Sequence, residues 1–123
     1  MKKVLFLPVI LLIIILLSGC GSGSFIGSFQ YSTSRKMSAS YMYFSGSKRT
    51  TLTVKEGTPV EISVDIETKK GNLDATIYNE DGEYSYEGRA LETDTFTVTL
   101  SKPGKYTIEV VADKHKGSYK FTW

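Results

Sequence analysis

The feature that most constrains this chain is an alternation of apolar and polar residues with a period of two. Val60, Ile62, Val64 and Ile66 alternate with Glu61, Ser63, Asp65 and Glu67. Phe96, Val98 and Leu100 alternate with Thr95, Thr97 and Thr99, and Tyr106, Ile108, Val110 and Ala112 with Thr107, Glu109 and Val111. Tyr119, Phe121 and Trp123 close the chain on one parity. Successive side chains of a strand point to opposite faces, so this pattern predicts strands buried on one side. Turn signals fall between the runs: Glu56-Gly57, Lys70-Gly71-Asn72, Asp81-Gly82, Pro103-Gly104 and Lys116-Gly117. No stretch after residue 20 has a convincing helical period.

The reading gives about eight short strands, near 39–45, 49–55, 59–67, 72–79, 83–88, 93–100, 104–112 and 117–123. Strands at this spacing predict an all-β fold, a single small antiparallel β-sandwich of jelly-roll or Ig-like type. A domain of about a hundred residues can bury enough apolar surface to fold alone, with modest margin.

The first twenty residues follow another logic. Lys2 and Lys3 precede a run from Val4 to Leu17 in which every residue is apolar, Pro8 included. A membrane-spanning helix needs about 20 such residues, so a signal peptide is the better reading. The run ends Leu17-Ser18-Gly19-Cys20, with the only cysteine of the chain. This tetrad resembles the lipobox of bacterial lipoproteins. The resemblance implies that Leu17, Ser18 and Gly19 are read by a signal peptidase and that Cys20 receives a lipid. The expected organisation is a signal peptide at 1–19, a lipidated N-terminus with a Gly/Ser-rich tether at 20–37, and a β-sandwich at 38–123. Phe25, Phe29 and Tyr31 share parity, so an added edge strand is the alternative to a tether. With one cysteine no internal disulfide can form, and the domain must fold on its core alone. The expected location is extracytoplasmic, at the bacterial membrane.

Removing Lys2 and Lys3 from the 15 basic residues leaves 13, against 13 acidic ones. A nucleic-acid binder needs a basic stripe or a strongly basic domain, so nucleic acid is not an expected partner. The charge is unevenly placed. Residues 20–55 hold Arg35, Lys36, Lys48, Arg49 and Lys55 and no acid, which suggests a segment that leans on anionic lipid or wall polymer.

The second half resembles the bacterial pre-peptidase C-terminal domain, a family of small β-sandwiches appended to secreted proteins. Leu73, Asp74, Ile77, Tyr78 and Gly82 fit its hairpin, Pro103, Gly104, Tyr106, Ile108 and Val110 its Pro-Gly turn and strand, and Gly117, Tyr119 and Phe121 its last strand. The resemblance covers residues 49–123 and implies a surface binding or accessory module. No peptidase precedes the domain in this sequence, so an enzyme-appendage role is not carried over.

Catalytic motifs are weak. Ser45-Gly46-Ser47-Lys48 matches S-x-x-K, but lies between two expected strands and lacks its companion motifs. It reads as a polar hairpin turn. His115 is the only histidine and reads as an exposed turn residue in Asp113-Lys114-His115-Lys116-Gly117. One histidine and one lipidated cysteine cannot make a zinc site. Asp74, Asn79, Asp81 and Glu83 offer oxygens as a calcium candidate, although Asp-Gly is first a hairpin signal; no cofactor is otherwise expected. Tyr84 and Tyr86 share parity on a short strand, and Tyr78 falls on the parity opposite to Leu73, Ala75 and Ile77. These three tyrosines form a candidate ligand face. The chain is therefore expected to be a non-catalytic surface module, binding wall polymer, glycan or protein. The alternative is a structural accessory lipoprotein of an envelope complex with no ligand of its own.

Overall fold

The computed structural model describes residues 22–123. Among them there is no helix. One antiparallel sheet of seven strands runs β1 (Ser22–Ile26), β2 (Phe29–Thr33), β3 (Lys36–Val54), β4 (Val60–Asn79), β5 (Tyr84–Gly88), β6 (Asp94–Leu100) and β7 (Gly104–Thr122). Three of these are 19, 20 and 19 residues long, against a usual ~5–6.

The long strands explain how one sheet makes a sandwich. Each is continuous but bends once, where its pairing register slips: between Tyr41 and Gly46 in β3, and between Thr68 and Asn72 in β4 against β7. On one side of this corner the strand order is β2-β3-β7-β4-β6, with Tyr41 opposite Gly117 and Val64 opposite Phe121. On the other side it is β1-β3-β7-β4-β5, with Leu52 opposite Tyr106 and Ile77 opposite Ile108. We call these the first and second leaf.

The expected strand pairs 39–45 with 49–55, 59–67 with 72–79, and 104–112 with 117–123 are thus each a single strand. The glycine signals read as turns at Ser45-Gly46-Ser47, Lys70-Gly71-Asn72 and Lys116-Gly117 are corner bulges instead. A bulge adds one unpaired residue and flips the facing of all that follows. The buried residues show it: Ile62, Val64 and Ile66 are even, whereas Leu73, Ala75 and Ile77 are odd. In β7 the switch runs from Tyr106, Ile108 and Val110 to Tyr119 and Phe121. Both leaves therefore turn their apolar residues to one core.

Two corner glycines are required. Gly71 has φ +76 and Gly117 φ +148. A Cβ on Gly71 would fall on the carbonyl oxygen of Lys114, and one on Gly117 on that of Glu67. At these two positions the backbones of β4 and β7 leave no room for a side chain.

Residues 22–33, read from composition as part of the tether at 20–37, run as two strands on the outer edge of β3. β1 extends the second leaf and β2 the first. Among the described residues, the buried core lies between Met37 and Phe121, in a single cluster enclosed by the two leaves. Residues 22–123 thus hold a hydrophobic core of their own.

Candidate functional site

The hairpin of β4 and β5 holds the first candidate. Its tip is a turn from Asn79 to Glu83, as Asp81-Gly82 predicts. Gly82 N–H donates to Asn79 O (3.1 Å) and Asn79 N–H to Glu83 O (3.0 Å). The Asn79 side-chain oxygen accepts from the Asp81 and Glu83 amides at 3.0 and 2.9 Å. This rigid tip sets the pairing that follows. Tyr78 lies opposite Tyr84, and after a bulge Ile77 lies opposite Tyr86.

The bulge separates the three tyrosines of the candidate face. Tyr78 and Tyr84 meet on the outer surface of the second leaf, edge to face, with ring centroids 5.8 Å apart. Tyr84 is 61% exposed. Tyr78 Oη donates to a Glu109 carboxylate oxygen at 3.4 Å. Arg49 and Thr76 flank Glu109 in the pairing register. Tyr86 turns the other way. It stacks on Phe96 of β6, centroids 5.1 Å apart, and packs against the core. Partial burial raises its phenol pKa, and nearby Asp94 adds to the rise. Tyr84 and Tyr86 thus do not share a face, because Ser85 is the residue in excess at the bulge. Glu109 is the member of the pair's surroundings that the sequence reading left out; its outward parity beside Thr107 was the available signal.

Of the four calcium candidates, Asn79, Asp81 and Glu83 share the hairpin turn, and Asp74 lies apart from it. Asp74 Oδ1 accepts from the Ala90 amide at 2.8 Å and shapes the loop after β5. Asn79 is spent on its own turn. Glu83 is engaged by Lys102 at 3.0 Å, and this hydrogen bond, with a further one from Asn79, lowers its pKa. Among the described residues no group of three or more His, Cys, Asp or Glu side chains is placed to hold a metal ion. Leu17, Ser18, Gly19 and Cys20 lie outside the described residues.

The second site is the corner, and it corrects the reading of His115. This histidine is fully buried, not exposed. Its Nδ1 lies 2.6 Å from Tyr41 Oη and its Nε2 2.8 Å from Thr68 Oγ1. Thr68 Oγ1 donates to Leu91 O at 2.7 Å, so it accepts from the ring. The proton therefore sits on Nε2, and Tyr41 donates to Nδ1. Each of the three long strands gives one member: Tyr41 from β3, Thr68 from β4, His115 from β7. Burial lowers the histidine pKa and raises that of Tyr41; neighbouring Tyr119, itself pushed up to about 12 by burial, adds to the latter. With both nitrogens hydrogen-bonded inside the fold, the buried ring is a staple between the three long strands. Ser45 and Lys48 lie in extended β3, where the helical turn that joins an S-x-x-K pair cannot form. Ser45 Oγ accepts from the Lys114 amide at 3.0 Å.

A cleft of about 350 Å³ opens at the β2 edge between Tyr31, Met37 and Tyr119, with Lys48 and Arg49 on its rim. The tyrosine pair does not line it, although Arg49 on its rim lies opposite Glu109.

No protein-family model matches the chain, and no curated protein matches it. Among solved structures, it is similar to the pre-peptidase C-terminal domain of a collagenase from Bacillus anthracis. The TM-score is 0.50 at 18% identity, covering 71% of this chain and 85% of that one. The chain shares this domain's β-sandwich fold. It is also similar to a periplasmic inhibitor of g-type lysozyme from Aeromonas hydrophila (TM-score 0.44, 18% identity, 79% and 86% covered). A carbohydrate-binding module from a Cellvibrio mixtus lichenase, solved with cellotriose, gives TM-score 0.40 at 16% identity, with 83% and 86% covered.

Proposed function

We propose that the chain is a lipoprotein of the bacterial envelope, held outside the cytoplasm by lipid on Cys20, whose sandwich is a non-catalytic module for a cell-wall glycan. The carrying observation is the Tyr78–Tyr84 pair. Tyr84 stands exposed and Tyr78 half-buried on the outer face of the second leaf, with the Glu109 carboxylate beside them as a hydrogen-bond acceptor. Sugar rings offer C–H faces to such aromatics and hydroxyls to such carboxylates. The anchor is supported by the apolar run and the Leu17-Ser18-Gly19-Cys20 tetrad. The non-catalytic reading is supported by the locked state of His115 and the strand setting of Ser45.

The test is co-sedimentation of residues 22–123 with purified sacculi, with and without added salt. Binding that survives salt and falls about tenfold in Tyr84→Ala is the expected result. Binding that is equal in wild type and Tyr84→Ala removes the tyrosine face. Absence of any sacculus binding turns the reading to the accessory role, with a protein partner to be sought by cross-linking.

A further inference from the structure

We infer that the corner of the sandwich is a docking surface for an anionic bilayer. The inference rests on the Cys20 anchor proposed above, and its test omits that anchor so that either can fail alone.

The length of chain before the sheet comes first. β1 begins at Ser22, two residues after Cys20. Two residues span at most about 7 Å. The expected tether has been taken into the sheet, so a lipid on Cys20 would hold the domain against the membrane rather than at a distance. β1 then runs from Ser22, opposite Ser47, to Ile26, opposite Tyr43, at the corner.

What the corner shows to solvent fits that surface. Ile26 is 59% and Met42 64% exposed, two of the large apolar side chains left in water. Met42 and Gly27 border a hollow of about 240 Å³ whose other walls include Lys69 and Lys116. Lys70 lies directly opposite Lys116 across the β4–β7 pairing, and Lys114 follows on the same bend. Like charges placed opposite each other destabilise a sheet. The acids nearby are Glu67, which Lys69 engages at 3.4 Å, Asp113, and Glu92 on the loop whose Leu91 and Thr93 bond Thr68. Four lysines against three acids leave the corner basic, and with Met42 beside Lys69 and Lys116 and Ile26 next to Gly27 they match phosphate headgroups over an acyl boundary. This set differs from the basic run at residues 20–55, since its lysines come from the second half of the chain.

The orientation also suits the proposed function. Tyr78 is six residues along β4 from Asn72, which lies at the corner, or about 20 Å at ~3.4 Å per residue. With the corner on lipid, the tyrosine pair faces away from it.

The test uses residues 22–123, which contain no cysteine, and phosphatidylcholine vesicles with and without phosphatidylglycerol. Binding is expected only to the anionic vesicles and only at low salt. Lys70→Gln and Lys116→Gln should each weaken it about fivefold, whereas Lys102→Gln, at the far side, leaves it unchanged. An environment-sensitive dye on Met42→Cys should shift on binding, and the same dye on Tyr84→Cys should not. No binding to anionic vesicles overturns the proposal, as does equal binding to both vesicle types, or a dye shift at Tyr84→Cys alone. Binding of soluble polyphosphate without binding of vesicles overturns it as well, by making the lysines a site for a polyanion in solution.

Discussion

The corner and the hairpin tip are both built on bulges, yet they use them in opposite ways. At the corner, three strands meet and turn their polar groups inward, where Tyr41, His115 and Thr68 satisfy one another. Among the described residues no buried side-chain nitrogen or oxygen lacks a partner. At the tip, the bulge between Ile77 and Tyr78 sends one tyrosine of β5 into the core and leaves the other outside. One irregularity closes a structure and the other opens a surface. A change at the corner should therefore cost stability, and a change at the tip should cost binding.

The sharpest way to break this contrast is with glycine. Gly71→Ala adds a Cβ onto the Lys114 carbonyl at positive φ and should cost ~3 kcal/mol or more, much of a small domain's stability. Gly82→Ala, at φ +79 on the tip, meets no atom within 4 Å and should cost only about 1 kcal/mol. Urea unfolding of the pair measures both, and equal losses would erase the distinction. Next comes the staple itself. His115→Ala leaves Tyr41 and Thr68 without their partner and should cost about 3 kcal/mol.

The same ring makes stability depend on pH. The folded chain holds His115 neutral with a lowered pKa, while the unfolded chain takes up a proton near the usual ~6.5. The stabilising difference is complete above that value and is lost as pH falls from it toward the folded pKa. His115 is the only histidine, so the urea midpoint should drop between neutral and mildly acid pH in wild type and stay nearly level there in His115→Leu. A level wild-type curve would mean that the ring is not held as described.

Smaller effects sharpen the tip. Tyr86→Ala removes a ring packed on Phe96 and should cost about 2 kcal/mol. Tyr84→Ala should stay within about 0.5 kcal/mol in thermal or urea unfolding. The reverse order would show that the inner and outer tyrosines have been assigned the wrong way round. Least of all should follow from Lys102→Ala, whose ion pair with Glu83 is fully exposed; the unfolding midpoint should hardly move.

How much of this was legible beforehand depends on the range of the cause. The all-β character and the inward residues of β4, β6 and β7 follow from local alternation, and the structure buries them as that pattern requires. The parity switch from Ile66 to Leu73 was also in the sequence. It could not say whether the chain reverses there or bends and continues, since both need a glycine and only pairing across strands decides. Lys114 and Asp113 are exposed as their charge suggests, yet the bulge turns His115 between them and Gly117 into the core. In residues 22–33 the parity of Phe25, Phe29 and Tyr31 offered an edge strand and the Gly/Ser content a tether, and only the free edge of β3 decides between them. At the tip, Tyr84 and Tyr86 have the same parity, and only the partner strand reveals that Ser85 is in excess.

The placement of β1 and β2 has a mechanical consequence. Both hang on the outer edge of β3, and neither is threaded between the long strands. A pull at Ser22 would open the β1–β3 ladder one rung at a time, then that of β2, before any load reached the core. Released, residues 22–33 would extend about 40 Å. The sheet margin would then act as a reel, paying out line under tension while the folded body behind it stays shut.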